Sequence, residues 1–584
     1  MAQLWPRWLL FTAASVVTCA VAGASVSTEH RGVIAVEAAD TSGVLPGASS
    51  TPNVHVDFGT TTRTIDRNAI GVDETTFGAP LDVNDPTAQQ MLSTLGVGYS
   101  RIWLRFSNPG DPGSGVVCAA SGCDTAISGD TWVTMQKSIG ETPVIGIADT
   151  MSPADAAALV QHFNVTTGNP VSQWVIGNEP DHSGESAATY SSRFNALYDA
   201  MKAVDPAIKI GGGTTAWYDQ SFLQAFLQAS GDRVDFVDFH WYPGNSTQSD
   251  LLAKLSDISY RIGQLRTLIN TTVPSRASDI AIHVGEWNIS YVASTLAEFA
   301  YSGFASAWDA DVLGRILSAG ADSLAFGTKV NALSVLASPG SGQTLPAGYS
   351  ADTPMPMYEA LGMFTGEGLF PRFGTALVSA TSGLAGVDVF ASASPDDIVL
   401  VNTGGAAQNA MIQVKNGGRL TAAAWQIDQT GETPSAPANV STTTTTNGSF
   451  DLSLPADSVT TLVVTAPASS YPSYTTHDAQ TGRCLDSSTA GSAYTQPCNG
   501  GNYQNWKASG TSLVDQQTGR CLDSNTAGSV YTQPCNGGNY QNWYSLGALL
   551  VDAQTGRCLD SNTASNVYTQ PCNGGSYQNW NFMP

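Results

Sequence analysis

The sequence predicts a chain of several domains: a (β/α)8 barrel of the TIM type, an all-β sandwich, and a C-terminal β domain built from three repeats. Three observations predict it. Eight short apolar runs alternate with amphipathic segments up to residue 370, at the intervals of βα units. After Phe370 the helical periodicity stops and short alternating strands take over. From Thr481 onward a cysteine-bearing unit recurs three times at one spacing.

Length and composition agree. A chain of 584 residues is too long for one domain, and 42% hydrophobic residues supply a large core. A net charge of -24 argues against nucleic acid or an anionic membrane as partner, because both need basic patches, and is compatible with a neutral polymer. Residues 1–24 combine Arg7, an apolar run and a closing Ala22-Gly23-Ala24. That is the build of an export signal, and the run is short for a membrane anchor. Residues 25–52 read as a small, polar leader. Apart from Cys19 in the signal, the eight cysteines form four local pairs: Cys118 and Cys123, Cys484 and Cys498, Cys521 and Cys535, Cys558 and Cys572. An even count in an exported chain reads as disulfides; histidines at metal-ligand spacing are missing beside them. The oligomeric state is not encoded in any legible way.

The barrel is expected over 67–370, with strands at 69–72, 99–104, 143–147, 171–176, 208–211, 234–239, 280–284 and 322–326. Helical segments are expected at 153–163, 186–204, 220–229 and 250–268. A doubly wound open sheet is the rival, weakened by the lack of a Gly-x-Gly-x-x-Gly loop after the first strand. The Gly- and Pro-rich loop 107–130 carries Cys118 and Cys123, where a disulfide would stiffen the rim.

The sandwich is expected over 371–465, with strands at 386–391, 397–402, 411–414, 422–426, 449–454 and 458–465. The segment 53–66 alternates at Val54, Val56 and Phe58 and is expected to add a strand to it. The threonine run 442–446 reads as a surface loop, and 466–474 as a linker.

In the last domain, 475–584, Thr-Gly-Arg-Cys-Leu-Asp starts at Thr481, Thr518 and Thr555, a period of 37. The second cysteine follows the first by 14, and Gln-x-Trp closes each unit at Gln504, Gln541 and Gln578. Three copies suit a closed threefold fold better than a solenoid, which ends in atypical caps. The pattern resembles the ricin-type β-trefoil lectin module. The resemblance implies sugar sites at Asp486, Asp523 and Asp560, two residues after each first cysteine. Gln504, Gln541 and Gln578 would be their partners, and Tyr494, Tyr531 and Tyr568 would stack on sugar. The 14-residue cysteine spacing is shorter than usual for that family.

Two stretches share one build. Trp174-Val-Ile-Gly-Asn-Glu179-Pro-Asp181 and Ile280-Ala-Ile-His-Val-Gly-Glu286-Trp-Asn are apolar strands ending at glycine and a carboxylate. Barrel enzymes place chemistry where strands end, and two glutamates at two strand ends suggest a paired-carboxylate site. Glycosidic bonds are cleaved by such a pair, one group protonated and one ionised. A lone glutamate is most often a surface carboxylate; two in matching motifs at the fourth and seventh strands are not.

The wording resembles clan A of the retaining glycoside hydrolases, families 39, 51 and 79. The resemblance implies Glu179 as general acid/base, Glu286 as nucleophile, and Asn178 as partner of the substrate 2-hydroxyl. His240 and Tyr242, at the end of the sixth strand, would contact the sugar and hold Glu286 ionised. Arg101 on the second strand, with Arg105 as competitor, would orient the nucleophile, and Trp287 would form a sugar-stacking wall or belong to the core. No metal or organic cofactor is implied. The reading is a secreted retaining hydrolase of plant or microbial polysaccharide, of α-L-arabinofuranosidase or β-xylosidase type. A β-glucuronidase, an endo-acting β-glycanase, and a sugar-binding protein with an inactive barrel are the alternatives.

Overall fold

The computed structural model describes residues 51–73, 82–105, 116–117, 128–244, 247–291, 301–327, 334–337, 349–430, 433–465, 473–509, 512–536, 538–546 and 549–583. The export signal, most of the leader, Cys118 and Cys123, the Arg105 side chain and residues 466–472 lie outside them.

All eight expected barrel strands form. In order they are Ile70–Asp73, Tyr99–Arg105, Thr142–Ile147, Gln173–Ile176, Lys209–Thr215, Phe236–Trp241, Ala281–Trp287 and Asp322–Phe326. Each pairs in parallel with its neighbour, and the first pairs with both the second and the eighth, so the sheet closes on itself. Apolar side chains fill the interior, as a small barrel requires: Tyr99, Val144, Val175 and Phe236 cluster there, with Trp103 packed against them. Glycines make room for the two largest rings. A Cβ at Gly146 would run into Trp103, and one at Gly211 into Phe236.

The helices follow local signals. Pro153–Val160 starts at Ser152, whose hydroxyl accepts from the Asp155 amide; Ala187–Val204 starts at Ser186 in the same way; Gln248–Thr272 opens with a capping box between Thr247 and Asp250. Of the helices outside the expected segments, Pro86–Leu95, Gly129–Ser138, Gly303–Ala319 and Pro356–Thr365, the last two are buried on nearly every face. These two lie between the barrel and the sandwich, and the core runs through them without a break from barrel residues such as Trp241 to Phe390, Val399 and Val459 of the sandwich.

The sandwich is a nine-stranded sheet folded over its own apolar core. The early strand Val54–Thr64 belongs to it, antiparallel to Ala376–Ser382 and parallel to Gln408–Val414. The threonine run is a correction: Ala438–Thr445 is an edge strand paired with Leu420–Ile427, not a loop. β-Branched threonine suits a solvated sheet edge, which polar composition alone disguised.

The C-terminal domain closes with threefold symmetry. Its first strand, Ser473–Asp478, pairs with its last, Trp580–Met583, so Ser473 and Tyr474 belong to the domain rather than the linker. Each repeat bonds to the next through one serine and one aspartate: Ser487 with Asp515, Ser524 with Asp552, and Ser561 back to Asp478. Trp506, Trp543 and Trp580 form the core, each donating from Nε1 at 3.0 Å to Leu485, Leu522 and Leu559 carbonyls. Disulfides join Cys484 to Cys498, Cys521 to Cys535 and Cys558 to Cys572, each closing a 14-residue separation. Loops of that size contribute roughly 3 kcal/mol apiece by restricting the unfolded chain.

Candidate active site

The sixth strand sets the floor of the site. Alternation places Phe236, Asp238 and His240 on one face, rising from the packed interior to the mouth. The seventh strand departs from alternation. Phe239 pairs with Val284 and His240 with Glu286, so Gly285 is an extra residue, and pairing with the eighth strand slips at the same place. This bulge reverses which residues beyond it face inward. Gly285 is required there, because a Cβ would run into the Asp238 carboxylate.

Glu179 follows the fourth strand after Gly177 (φ 83°) and itself takes a left-handed backbone, φ 48°. That conformation costs a non-glycine residue roughly 1 kcal/mol or more. It is held by the Glu179 amide donating to the Thr214 carbonyl at 2.8 Å and the Glu179 carbonyl accepting from Ser183.

Four strands converge on these two groups. Arg101 Nη2 donates at 2.6 Å to both Glu286 Oε1 and Asp73 Oδ2, and Nη1 donates to Asp238 Oδ2 at 3.2 Å. Tyr242 donates to Glu286 Oε2 at 2.9 Å. His240 Nδ1 lies 2.9 Å from Glu179 Oε1 and 3.4 Å from Glu286 Oε2. One oxygen of Glu179, one of Glu286 and a ring nitrogen of His240 all lie within 4.8 Å of one another. Three such atoms have metal-ligand spacing, but the Arg101 cation already neutralises Glu286, and the set suits proton transfer better.

Burial pushes Glu286 up to about 7, against the charges of His240 and Arg101. Burial lowers His240, but the charges of Glu286 and Glu179 outweigh it and push it up to about 9. Burial raises Glu179, and the His240 hydrogen bond and charge outweigh it to leave it lowered. His240 Nε2 is buried with no partner among the described residues, so the ring's engaged proton is the one at Nδ1, between the carboxylates. The Glu179–His240 pair therefore carries a proton through neutral pH, with Glu286 Oε2 3.4 Å from the ring nitrogen. Glu179 is the more exposed carboxyl, 28% against 9% for Glu286.

Residues 156–339 match the model of the Glycosyl hydrolases family 39, and residues 473–580 that of the Ricin-type beta-trefoil lectin domain. Among solved structures, the α-L-arabinofuranosidase of Thermotoga maritima, in complex with arabinose, is similar at 17% identity and TM-score 0.55. The match covers 70% of this chain and 99% of that one. A bifunctional glucanase-xylanase, CelM2 from a metagenome library, is similar at 16% identity and TM-score 0.52, and a xyloglucanase of Paenibacillus polymyxa at 12% and 0.53; each match covers 71% of this chain and 99% of the other. This chain is a glycoside hydrolase carrying a ricin-type lectin domain.

In this hydrolase the structure brings together Glu179, Glu286, Arg101, His240 and Tyr242, and leaves Asn178 exposed at the mouth beside Glu179. Two expectations need correction. Trp287 is no sugar wall: beyond the Gly285 bulge its indole is fully buried and donates to Ser323 Oγ at 2.8 Å. His240 is also fully buried and faces the two carboxylates, so it does not reach a sugar directly. Sequence reading missed Asp73 and Asp238, the two carboxylates that anchor Arg101. The available signal was an acidic residue inside or ending an apolar strand, as in Ile-Gly-Val-Asp73 and Phe-Val-Asp238-Phe.

The lectin domain needs a third correction. Gln504, Gln541 and Gln578 are fully buried and bond only to backbone: Gln504 Oε1 accepts from the Asn499 amide at 2.8 Å and Nε2 donates to the Pro497 carbonyl at 3.1 Å, with the same pattern in the other repeats. They shape the loop after each second cysteine through these backbone bonds; Asp486, Asp523 and Asp560 are also buried, at 1%, 2% and 3% exposure. The partners of Asp486, Asp523 and Asp560 are instead Gln496, Gln533 and Gln570, across each hairpin. Tyr494, Tyr531 and Tyr568 pair directly opposite those aspartates and are half-buried.

Proposed function

We propose that the barrel hydrolyses glycosides of a neutral sugar by double displacement with net retention. Glu286 attacks the anomeric carbon as Glu179 protonates the departing oxygen, and the carbon–oxygen bond breaks to leave a glycosyl ester on Glu286. Esterification removes the Glu286 charge, so Glu179, now ionised, accepts a proton from water, and the hydroxyl opens the ester. Arg101 and Tyr242 hold Glu286 ionised and in place. The single observation that carries this reading is that one oxygen of Glu179 and one of Glu286 lie within 4.8 Å of each other, with the His240 ring nitrogen between them. Retaining pairs stand ~5 Å apart, whereas inverting pairs are separated by ~6.5–9.5 Å to admit a water.

Arabinofuranosyl or xylosyl units are the favoured substrates. The Thermotoga neighbour is an α-L-arabinofuranosidase, and a uronate is disfavoured because both Arg101 terminal nitrogens are engaged by protein carboxylates. Export fits the three disulfides of the lectin domain, where Asp486, Asp523 and Asp560 would bind polysaccharide and add avidity.

The test is a panel of aryl glycosides (arabinofuranoside, xyloside, glucuronide, galactoside, glucoside) with NMR of the first-formed anomer. Cleavage with retention, abolished by Glu286→Ala and rescued by azide in Glu179→Ala, is the expected result. Inversion, or activity surviving in Glu286→Ala, would overturn the assignment.

A further inference from the structure

We infer that Trp217 is the platform for the leaving-group sugar, and so sets which acceptors the glycosyl-enzyme uses. The inference rests on the roles proposed for Glu179 and Glu286. Among the described residues, two large aromatic side chains stand exposed near the proposed site, Trp217 at 51% and Tyr291 at 63%. They belong to different halves of it. Tyr291 stands edge-on to Tyr242, 6.0 Å between centroids, and Tyr242 is bonded to the nucleophile. Trp217 stands edge-on to His182, 5.9 Å between centroids at 86°, and His182 lies three residues beyond the acid/base. The group that protonates the departing oxygen necessarily has the departing sugar on its flank, so Trp217 lies on the leaving side.

The platform is also fixed. Ala216 donates its amide to Asp181 Oδ1 at 3.0 Å, and Glu179 donates its amide to the Thr214 carbonyl at 2.8 Å. These bonds tie the end of the fifth strand and the loop after it to the acid/base loop at Glu179 and Asp181. On the far side, Asp219 caps the helix Gln220–Ser230 by accepting from the Ser221 and Phe222 amides. Trp217 is thus pinned within two residues in either direction while half of its surface stays open. Asp181, the last residue of the Gly-Asn-Glu-Pro-Asp motif, gains a purpose as a positioning residue: it joins the acid/base to its platform. An indole face carries negative charge density, and the C–H bonds of one sugar face are weakly positive, so a sugar ring lies flat on it. Water, which also attacks the glycosyl-enzyme, needs no such surface.

The experiment follows partitioning of the glycosyl-enzyme. With 4-nitrophenyl α-L-arabinofuranoside as donor (or the aryl glycoside that the panel selects) and xylobiose as acceptor, the ratio of transfer product to free sugar is measured. Trp217→Ala is expected to lower that ratio roughly three- to tenfold, because sugar and water compete for the same glycosyl-enzyme and only the sugar uses the platform. Trp217→Phe is expected to recover part of it, and Asp181→Ala to reproduce part of the loss. An unchanged ratio, a parallel fall of transfer and hydrolysis, or a wild-type enzyme that hydrolyses but never transfers would each overturn the inference. Activity surviving in Glu286→Ala is a separate outcome: it overturns the catalytic assignment on which the inference rests.

Discussion

Arg101 Nη2 lies 2.6 Å from Glu286 Oε1 and 2.6 Å from Asp73 Oδ2, so one nitrogen locks the proposed nucleophile to the first barrel strand. The guanidinium is almost wholly buried, and its charge is balanced by three carboxylates arriving from three strands. Removing one member of such a network leaves uncompensated buried charge, at a cost of about 3–5 kcal/mol. Arg101→Lys keeps the charge but presents a point donor in place of a planar fork. The expected outcome is a kcat/KM at least about a hundredfold lower, with KM changed far less, and a lower Tm for the barrel. Steady-state kinetics and a circular-dichroism melt check it; near-normal kcat would show that Arg101 does not position Glu286.

The pH profile should follow Glu286 and the Glu179–His240 pair. Burial raises Glu286 to about 7, so the ionised nucleophile is lost as pH falls through that value. His240, pushed up to about 9, holds the pair's proton below that value and loses it above. The expected kcat/KM profile is a bell between about 7 and 9. Tyr242 donates to Glu286 and favours its charged form, so Tyr242→Phe moves the acid limb to higher pH, by about one unit. A limb that stays put or moves to lower pH would show that the bond does not tune Glu286.

Much of this was legible in the sequence because it depends on strand count. Eight apolar runs place residues 179 and 286 at the ends of the fourth and seventh strands, and that alone brings them to one mouth. The local register was not legible. Strict alternation groups Gly285 with Trp287 and sets Glu286 on the opposite face; the bulge at Gly285 inverts this, and its cause, the Asp238 carboxylate, comes from another strand. The same holds for the Gln-x-Trp glutamines. A polar residue repeated three times reads as a ligand contact, yet the backbone groups that Gln504 satisfies are seen only once the loop is folded. The helices Gly303–Ala319 and Pro356–Thr365 show almost no polar face because the sandwich covers what water would otherwise touch.

Those two helices make stability depend on pH. Glu359 sits buried in the second of them and Glu367 half-buried just beyond it, each with a carboxyl oxygen lacking a partner among the described residues. Burial pushes Glu359 up to about 9 and Glu367 up to about 8. Groups raised in this way bind a proton in the folded state that the unfolded chain has released. Their stabilising effect is complete below the unfolded value near 4.5 and is lost as pH rises towards 8–9. The slope is about 1.4 kcal/mol per pH unit for each group. Glu359→Gln, neutral at every pH, is expected to flatten the curve: Tm at pH 8 rises above the wild type, while Tm at pH 4.5 changes little. A wild-type Tm that does not fall between those values would contradict the account.

Each lectin repeat carries two polar pairs, Gln504 with backbone and Asp486 with Gln496 in the first. Gln504→Ala leaves the Asn499 amide and the Pro497 carbonyl without their partner in a partly buried setting, at about 1 kcal/mol. In a domain of this size that lowers Tm by several degrees. The pair Asp486 and Gln496 is bonded across the hairpin Cys484–Ser487 and Ala493–Gln496 and shares no hydrogen bond with the Gln504 side chain. Gln504→Ala should therefore leave polysaccharide affinity unchanged when measured well below the new Tm, and the same holds for Gln541→Ala and Gln578→Ala. Pull-down on insoluble xylan beside a thermal melt decides it. Weaker binding at an unaltered Tm would return these glutamines to the ligand-contacting role that the sequence pattern suggested.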